Sequence, residues 1–130
     1  GYHFFYLTGI AGAGQGERSA LASAEVFNQL HPQLIGSSML TVYPDSQLYQ
    51  ELQAGRWTEA GEREKYQELN TLIAHLDIPV TFAALGASNA YQFQGRLPED
   101  REALLSALDR IIRREPEERL RTYRTTLPHL

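Results

Sequence analysis

The sequence predicts an α/β fold: an incomplete parallel sheet of about three strands joined by helical crossovers. Three observations carry this expectation. Short β-prone runs alternate with stretches of helical period. The connections between those runs are long enough to hold helices, as parallel pairing requires. The first run ends in a glycine-rich loop that can neither extend a strand nor begin a helix.

The first strand covers residues 3–10 and runs into the loop Gly9-Ile10-Ala11-Gly12-Ala13-Gly14-Gln15-Gly16. From Glu17 the period changes, and Leu21, Ala24, Phe27 and Leu30 predict one apolar stripe on a helix that ends at His31-Pro32. Residues 34–42 form the second strand. In the turn Tyr43-Pro44-Asp45-Ser46, either Asp45 or Ser46 caps a short helix that carries Leu48, Tyr49 and Leu52 and stops at Gly55. A longer helix begins near Thr58. It shows Tyr66, Leu69, Leu72, Ile73 and Leu76 on one face, with Glu62, Arg63, Glu64, Lys65 and Glu68 largely opposite. Pro79 opens a third strand over residues 80–85, followed by an irregular segment over 86–95. Pro98 is placed as the first residue of another helix, with Glu99 and Asp100 at its positive end and Arg113 and Arg114 at its negative end. Its buried stripe is Leu104, Leu105, Leu108, Ile111 and Ile112, and Pro116 opens a last short helix with Leu120 and Tyr123.

With 130 residues the chain forms one domain. A net charge of -4 offers no basic footprint, so neither nucleic acid nor an anionic membrane is expected as a partner. No apolar run is long enough for a bilayer span, and Gly1-Tyr2-His3-Phe4-Phe5-Tyr6-Leu7 lacks the basic region and cleavage site of a signal peptide. A soluble, cytoplasmic protein is expected. The chain has no cysteine, which excludes a disulfide, a thiolate zinc site, a cysteine nucleophile and a self-contained iron-sulfur cluster. Three strands are few for a helix-covered parallel sheet, and both sheet edges would be open. Either further strands belong to a longer parent, as a chain opening directly on a strand suggests, or a homodimer pairs the open edges.

In parallel α/β sheets ligands bind at the carboxyl ends of the strands, which here means the loops at 9–16, 41–46 and 86–94. Gly12, Gly14 and Gly16 read G-x-G-x-G, not G-x-G-x-x-G, and no G-K-S/T is present, so a Walker-type site is excluded and a dinucleotide site is weakly supported. The same glycines would equally serve a tight strand-to-helix turn. His3, His31, His75 and His129 are dispersed without metal-ligand spacing. Ser37-Ser38 reads as small packing within a strand, Trp57 as a hydrophobic staple, and the charged stretches 62–65 and 113–121 as solvated helix faces.

Three segments carry a family likeness. Tyr6-Leu7-Thr8-Gly9-Ile10-Ala11-Gly12-Ala13-Gly14-Gln15-Gly16-Glu17 resembles the fifth strand and glycine loop of radical S-adenosylmethionine (SAM) enzymes of the elongator-protein-3, MiaB and NifB type core. Met39-Leu40-Thr41-Val42-Tyr43-Pro44-Asp45-Ser46-Gln47-Leu48-Tyr49 resembles the sixth strand running into the P-G-T-x-L-Y turn. Ser88-Asn89-Ala90-Tyr91, with Gly95-Arg96-Leu97-Pro98-Glu99-Asp100, resembles the S-N-Y and G-x-L-P-x-D ending of an iron-sulfur oxidoreductase subgroup.

The resemblance implies the C-terminal part of a partial TIM-like barrel. Such a piece contributes the adenosyl-binding edge of a SAM site, through Gly9, Ile10, Gly12, Gly14, Thr41 and Val42, and has no catalytic residue of its own. In the family's G-x-I-x-G-x-x-E motif, one register puts Thr8 at the first Gly and Gln15 at the Glu; the other uses Leu7 and Gly9 and puts Gly12 at the Glu. Asp45 stands where the family often has Gly. The resemblance also implies a parent whose C-x-x-x-C-x-x-C cysteines hold a 4Fe-4S cluster, with the remainder of that barrel as this chain's partner. Two other readings stay open: a free-standing nucleotide or metabolite binding module, and a structural dimerisation domain.

Overall fold

The computed structural model describes residues 3–39, 46–84 and 93–114. Within them the order is β1 (His3–Thr8), α1 (Gly16–Leu30), β2 (Leu34–Met39), α2 (Gln47–Gln53), α3 (Glu62–His75), β3 (Val80–Ala84), β4 (Phe93–Leu97) and α4 (Arg101–Arg114). The fold class is α/β as expected, but the sheet has four strands and is mixed. β1, β2 and β3 lie side by side in parallel, and β4 adds antiparallel to β3.

The fourth strand corrects the expectation of an all-parallel sheet and of an irregular segment reaching Gly95. Its sequence, Phe-Gln-Gly-Arg-Leu, is mostly polar because one of its faces stays wet. Gly95 meets the helix that follows: a Cβ there would lie 2.9 Å from Leu104 Cδ1 and 3.0 Å from Asp100 Cβ. Pro98 belongs to the turn before α4 and not to the helix itself. The short helix expected from Pro116 lies outside the described residues.

Local chemistry sets the helix ends. His31 closes α1 in the left-handed region, with φ 53°, and its N–H donates to Phe27 O at 2.9 Å. Ser46 caps α2, its hydroxyl accepting from Tyr49 N at 3.0 Å.

Strands β1 to β3 follow one another in the sheet in chain order, as in singly wound sheets. The core is correspondingly one-sided: Tyr6, Ile35, Val80, Phe82 and Leu97 of the sheet bury against Ala24 and Phe27 of α1, Leu69 and Leu72 of α3, and Leu108 of α4. The stripe expected on α1 is rotated. Ala20, Ala24 and Phe27 face inward, while Leu21 and Leu30 are exposed, because small residues let α1 approach α3 closely.

The opposite sheet face follows from the pairing register. One rung across the strands is His3, Leu34, Thr81 and Arg96; the next is Phe5, Gly36, Ala83 and Gln94. Alternation points these side chains away from the helices. Phe5 is 82% exposed and Leu7 40%, and β1 pairs with no described strand along its outer edge.

Candidate functional site

The glycine loop leaves the carboxyl end of β1 and is held by α3, an element whose charges the sequence pattern placed in solvent. That expectation fails for Glu62, Lys65 and Glu68, which are 2%, 0% and 1% exposed. Each acidic or basic group has a specific task at the loop or beneath it.

Glu68 Oε1 accepts from Gly9 N at 3.2 Å, and its Oε2 accepts from the buried Tyr6 hydroxyl. One turn earlier, Glu64 Oε2 accepts from Gly14 N at 2.8 Å and from Gly16 N at 3.3 Å. Backbone carbonyls take the intervening amides: Gly12 N donates to Gly9 O, Ala13 N to Thr58 O and Gln15 N to Gly12 O. Trp57 Nε1 donates to Ile10 O at 3.2 Å, so this indole clamps the loop and does not act as a helix staple.

Six of the loop's eight amides, those of Gly9 and of residues 12–16, therefore already have acceptors, and two of those acceptors are carboxylates. A phosphate at the start of α1 would have to displace Glu64 from Gly14 and Gly16. It would also face the charge of the neighbouring cavity, about 450 Å³, which Glu17, Glu64 and Glu68 line. This disfavours a phosphate-binding role for the loop. A neutral apolar surface meets no such obstacle, and Ile10 is 45% exposed at the loop's tip.

Three glycines adopt backbone conformations that L residues rarely take: Gly9 and Gly12 at φ 94° and Gly14 at φ 79°. Gly12 is the most constrained, since a Cβ there would lie 2.9 Å from Thr58 O and 3.0 Å from Trp57 Nε1. Around Gly14 the space is open. Gly12→Ala is expected to lower unfolding free energy by about 2–3 kcal/mol and Gly14→Ala by about 1 kcal/mol, from backbone strain alone in the second case. Urea denaturation of the two variants checks both magnitudes and their order.

Beneath the loop, Lys65 Nζ donates to Glu59 Oε2 at 3.2 Å and lies 3.7 Å from Glu62 Oε1. Burial pushes the Glu68 carboxyl above its ordinary value; the hydrogen bonds from Tyr6 and Gly9 and the nearby Lys65 act in the opposite sense, and Glu64 adds to the rise. Burial, then the bond to Glu68, raises the Tyr6 phenol well above its usual range. On the neighbouring strand, Thr8 Oγ1 and Ser37 Oγ share a buried hydrogen bond of 3.0 Å, a packing role for Ser37.

Of the residues expected at the site, Gly9, Ile10, Gly12 and Gly14 lie together on this loop, whereas Thr41 and Val42 lie outside the described residues. The sequence reading missed Glu64, Glu68 and Trp57 as the groups that fix the loop. The one sequence signal for Glu68 is its place four residues before Leu72, one turn along the same side of α3. No group of three or more His, Asp or Glu with a metal-holding arrangement occurs among the described residues. No described helix is long and apolar enough to cross a membrane. Comparison with protein-family models, with curated proteins and with solved structures returns no match.

Proposed function

We propose that this chain is the C-terminal part of a radical SAM iron-sulfur enzyme and supplies one edge of its adenosyl site. The observation that carries the reading is the bare sheet face. Among the described residues, the three parallel strands in chain order pack α1, α3 and α4 on one side, and their other side presents Phe5 and Leu7 toward solvent. In a closed or partly closed barrel that face is the interior and the open edge of β1 pairs with a preceding strand. A doubly wound sheet would instead carry helices on both faces.

The loop chemistry agrees with an adenosyl ligand better than with a nucleoside phosphate. Gly9 and Gly12 bring the backbone close to the end of β1, Ile10 offers an apolar contact, and the amides of Gly9, Gly14 and Gly16 are already engaged by Glu68 and Glu64. Thr41 and Val42, which follow β2 closely in sequence, would complete that edge. A 4Fe-4S cluster finds no ligands here, since the chain has no cysteine, and its binding falls to the proposed remainder of the barrel. When bound with SAM, such a cluster supplies reductive cleavage to a 5'-deoxyadenosyl radical. This chain's part is to position the adenosyl group.

The test uses the natural gene product, reduced anaerobically with dithionite in the presence of SAM. Release of 5'-deoxyadenosine is expected. Ile10→Asp is expected to weaken SAM binding about tenfold, equivalent to ~1.4 kcal/mol. No 5'-deoxyadenosine from an iron-loaded preparation would count against the reading.

The exposed Phe5 also favours a second reading, a dimer that buries the same face. Sedimentation of this chain distinguishes the two: a stable dimer that Phe5→Ser converts to monomer favours dimerisation.

A further inference from the structure

We propose that the amino ends of the strands carry a binding site for a small oxyanion, the carboxylate or phosphate group of a metabolite, centred on Arg96. The site is at the opposite end of the strands from the glycine loop and does not depend on the adenosyl reading.

A cavity of about 420 Å³ lies there, bordered by His3, His31, Gln33, Thr81 and Arg96, and no Asp or Glu lines it. That is unusual in a chain with 16 acidic residues against 12 Lys and Arg. Arg56, Lys65 and Arg113 each pair with a carboxylate. Arg96 has none within salt-bridge distance among the described residues; its Nη1 donates to Thr81 Oγ1 at 3.3 Å on the neighbouring strand.

The arginine is nevertheless well placed. Asp100 Oδ2 accepts from Arg96 N at 2.9 Å and Asp100 N donates to Arg96 O at 2.8 Å, which fixes the backbone. The same interaction commits the Asp100 carboxylate to the main chain. His3 and Arg96 occupy the two ends of one rung, His3–Leu34–Thr81–Arg96, about 14 Å apart along the sheet, so the imidazole and the guanidinium border the cavity from opposite sides, with Thr81 beside the arginine. Thr81 N donates to Gln33 O, tying Gln33 to the same strand. A guanidinium presents a planar fork matched to two oxygens of one anion, and imidazole, amide and hydroxyl groups add single donors around it.

Calorimetric titration with inorganic phosphate and with citrate, at constant ionic strength set by sodium chloride, tests the site. Saturable binding with a Kd on the order of 1 mM is expected for at least one of them. Binding of one alone supports the site and identifies the preferred group. Arg96→Gln should weaken binding at least tenfold, and His31→Asn, which suits the left-handed backbone, several-fold, both with unchanged unfolding midpoints. Non-saturable heats with both anions would overturn the proposal, as would equal binding by the Arg96 variant.

Discussion

Lys65→Met lowers the free energy of unfolding by about 3–5 kcal/mol, a large part of what a domain of this size possesses. The Lys65 side chain is fully buried, and its ammonium lies against Glu59 and against Glu62, itself 2% exposed. Methionine keeps most of the apolar stem that packs beneath Gly9 and removes the ammonium, so the loss reports the charge and hydrogen bonding of the buried group. The cost arises because a carboxylate taken out of water loses the cation that offset its desolvation. Urea unfolding monitored by circular dichroism gives the number. A change below about 1 kcal/mol would mean that these groups rehydrate when the ammonium is removed.

The second large effect belongs to Glu68. Glu68→Ala leaves the Tyr6 hydroxyl and Gly9 N without their acceptor inside the fold, at about 1–3 kcal/mol for each orphaned donor. A loss of roughly 3–5 kcal/mol is expected, with Glu68→Gln retaining more stability because an amide oxygen still accepts one of the two bonds.

The pH dependence has a definite sign. The folded-state pKa of Glu68 is raised above its ordinary 4.5, with burial the leading cause. Between the unfolded and folded values the native state therefore binds more protons. The stability contributed by this linkage is fully present below 4.5 and is lost as pH rises through the folded value. Wild type minus Glu68→Gln should thus show a stability difference that declines on going from acid toward the raised pKa. A difference that grows over that range would contradict the assignment.

The sequence made β1, β2 and β3 readable because their aromatic and branched residues are bounded by glycine and proline. The same run-and-breaker logic hid β4. Its Gln94 and Arg96 point to the wet face and its Gly95 makes room for α4, so nothing in Phe-Gln-Gly-Arg-Leu signals burial. On α1, Ala24 and Phe27 of the expected stripe face inward, but Leu21 and Leu30 do not, and Ala20 joins the buried side. Alanines face inward there because close helix contact needs small side chains.

The candidate site was legible as a loop but not as a mechanism of support. Gly9, Gly12 and Gly14 announce positive-φ positions, and the structure has them at φ 94°, 94° and 79°. What holds them is set by tertiary contact: Glu64 and Glu68 are about fifty to sixty residues away in sequence and read locally as ordinary surface charge. Helical phase carried a hint, since Glu62 and Lys65 continue the line of Leu69 and Leu72 toward the start of α3. Buried charges follow that line only because each is paired, which spacing alone does not reveal.

The face bearing Phe5 and Leu7 and the outer edge of β1, both uncovered among the described residues, and a glycine loop with carboxylates already on its amides are the features that the proposed barrel parent accounts for together. The mass and iron content of the natural gene product, purified without oxygen, test that proposal most directly. The account predicts a chain well above 14.7 kDa that carries about four irons on a C-x-x-x-C-x-x-C segment preceding Gly1. A product of 14.7 kDa that starts immediately before Gly1 and binds no iron would contradict it.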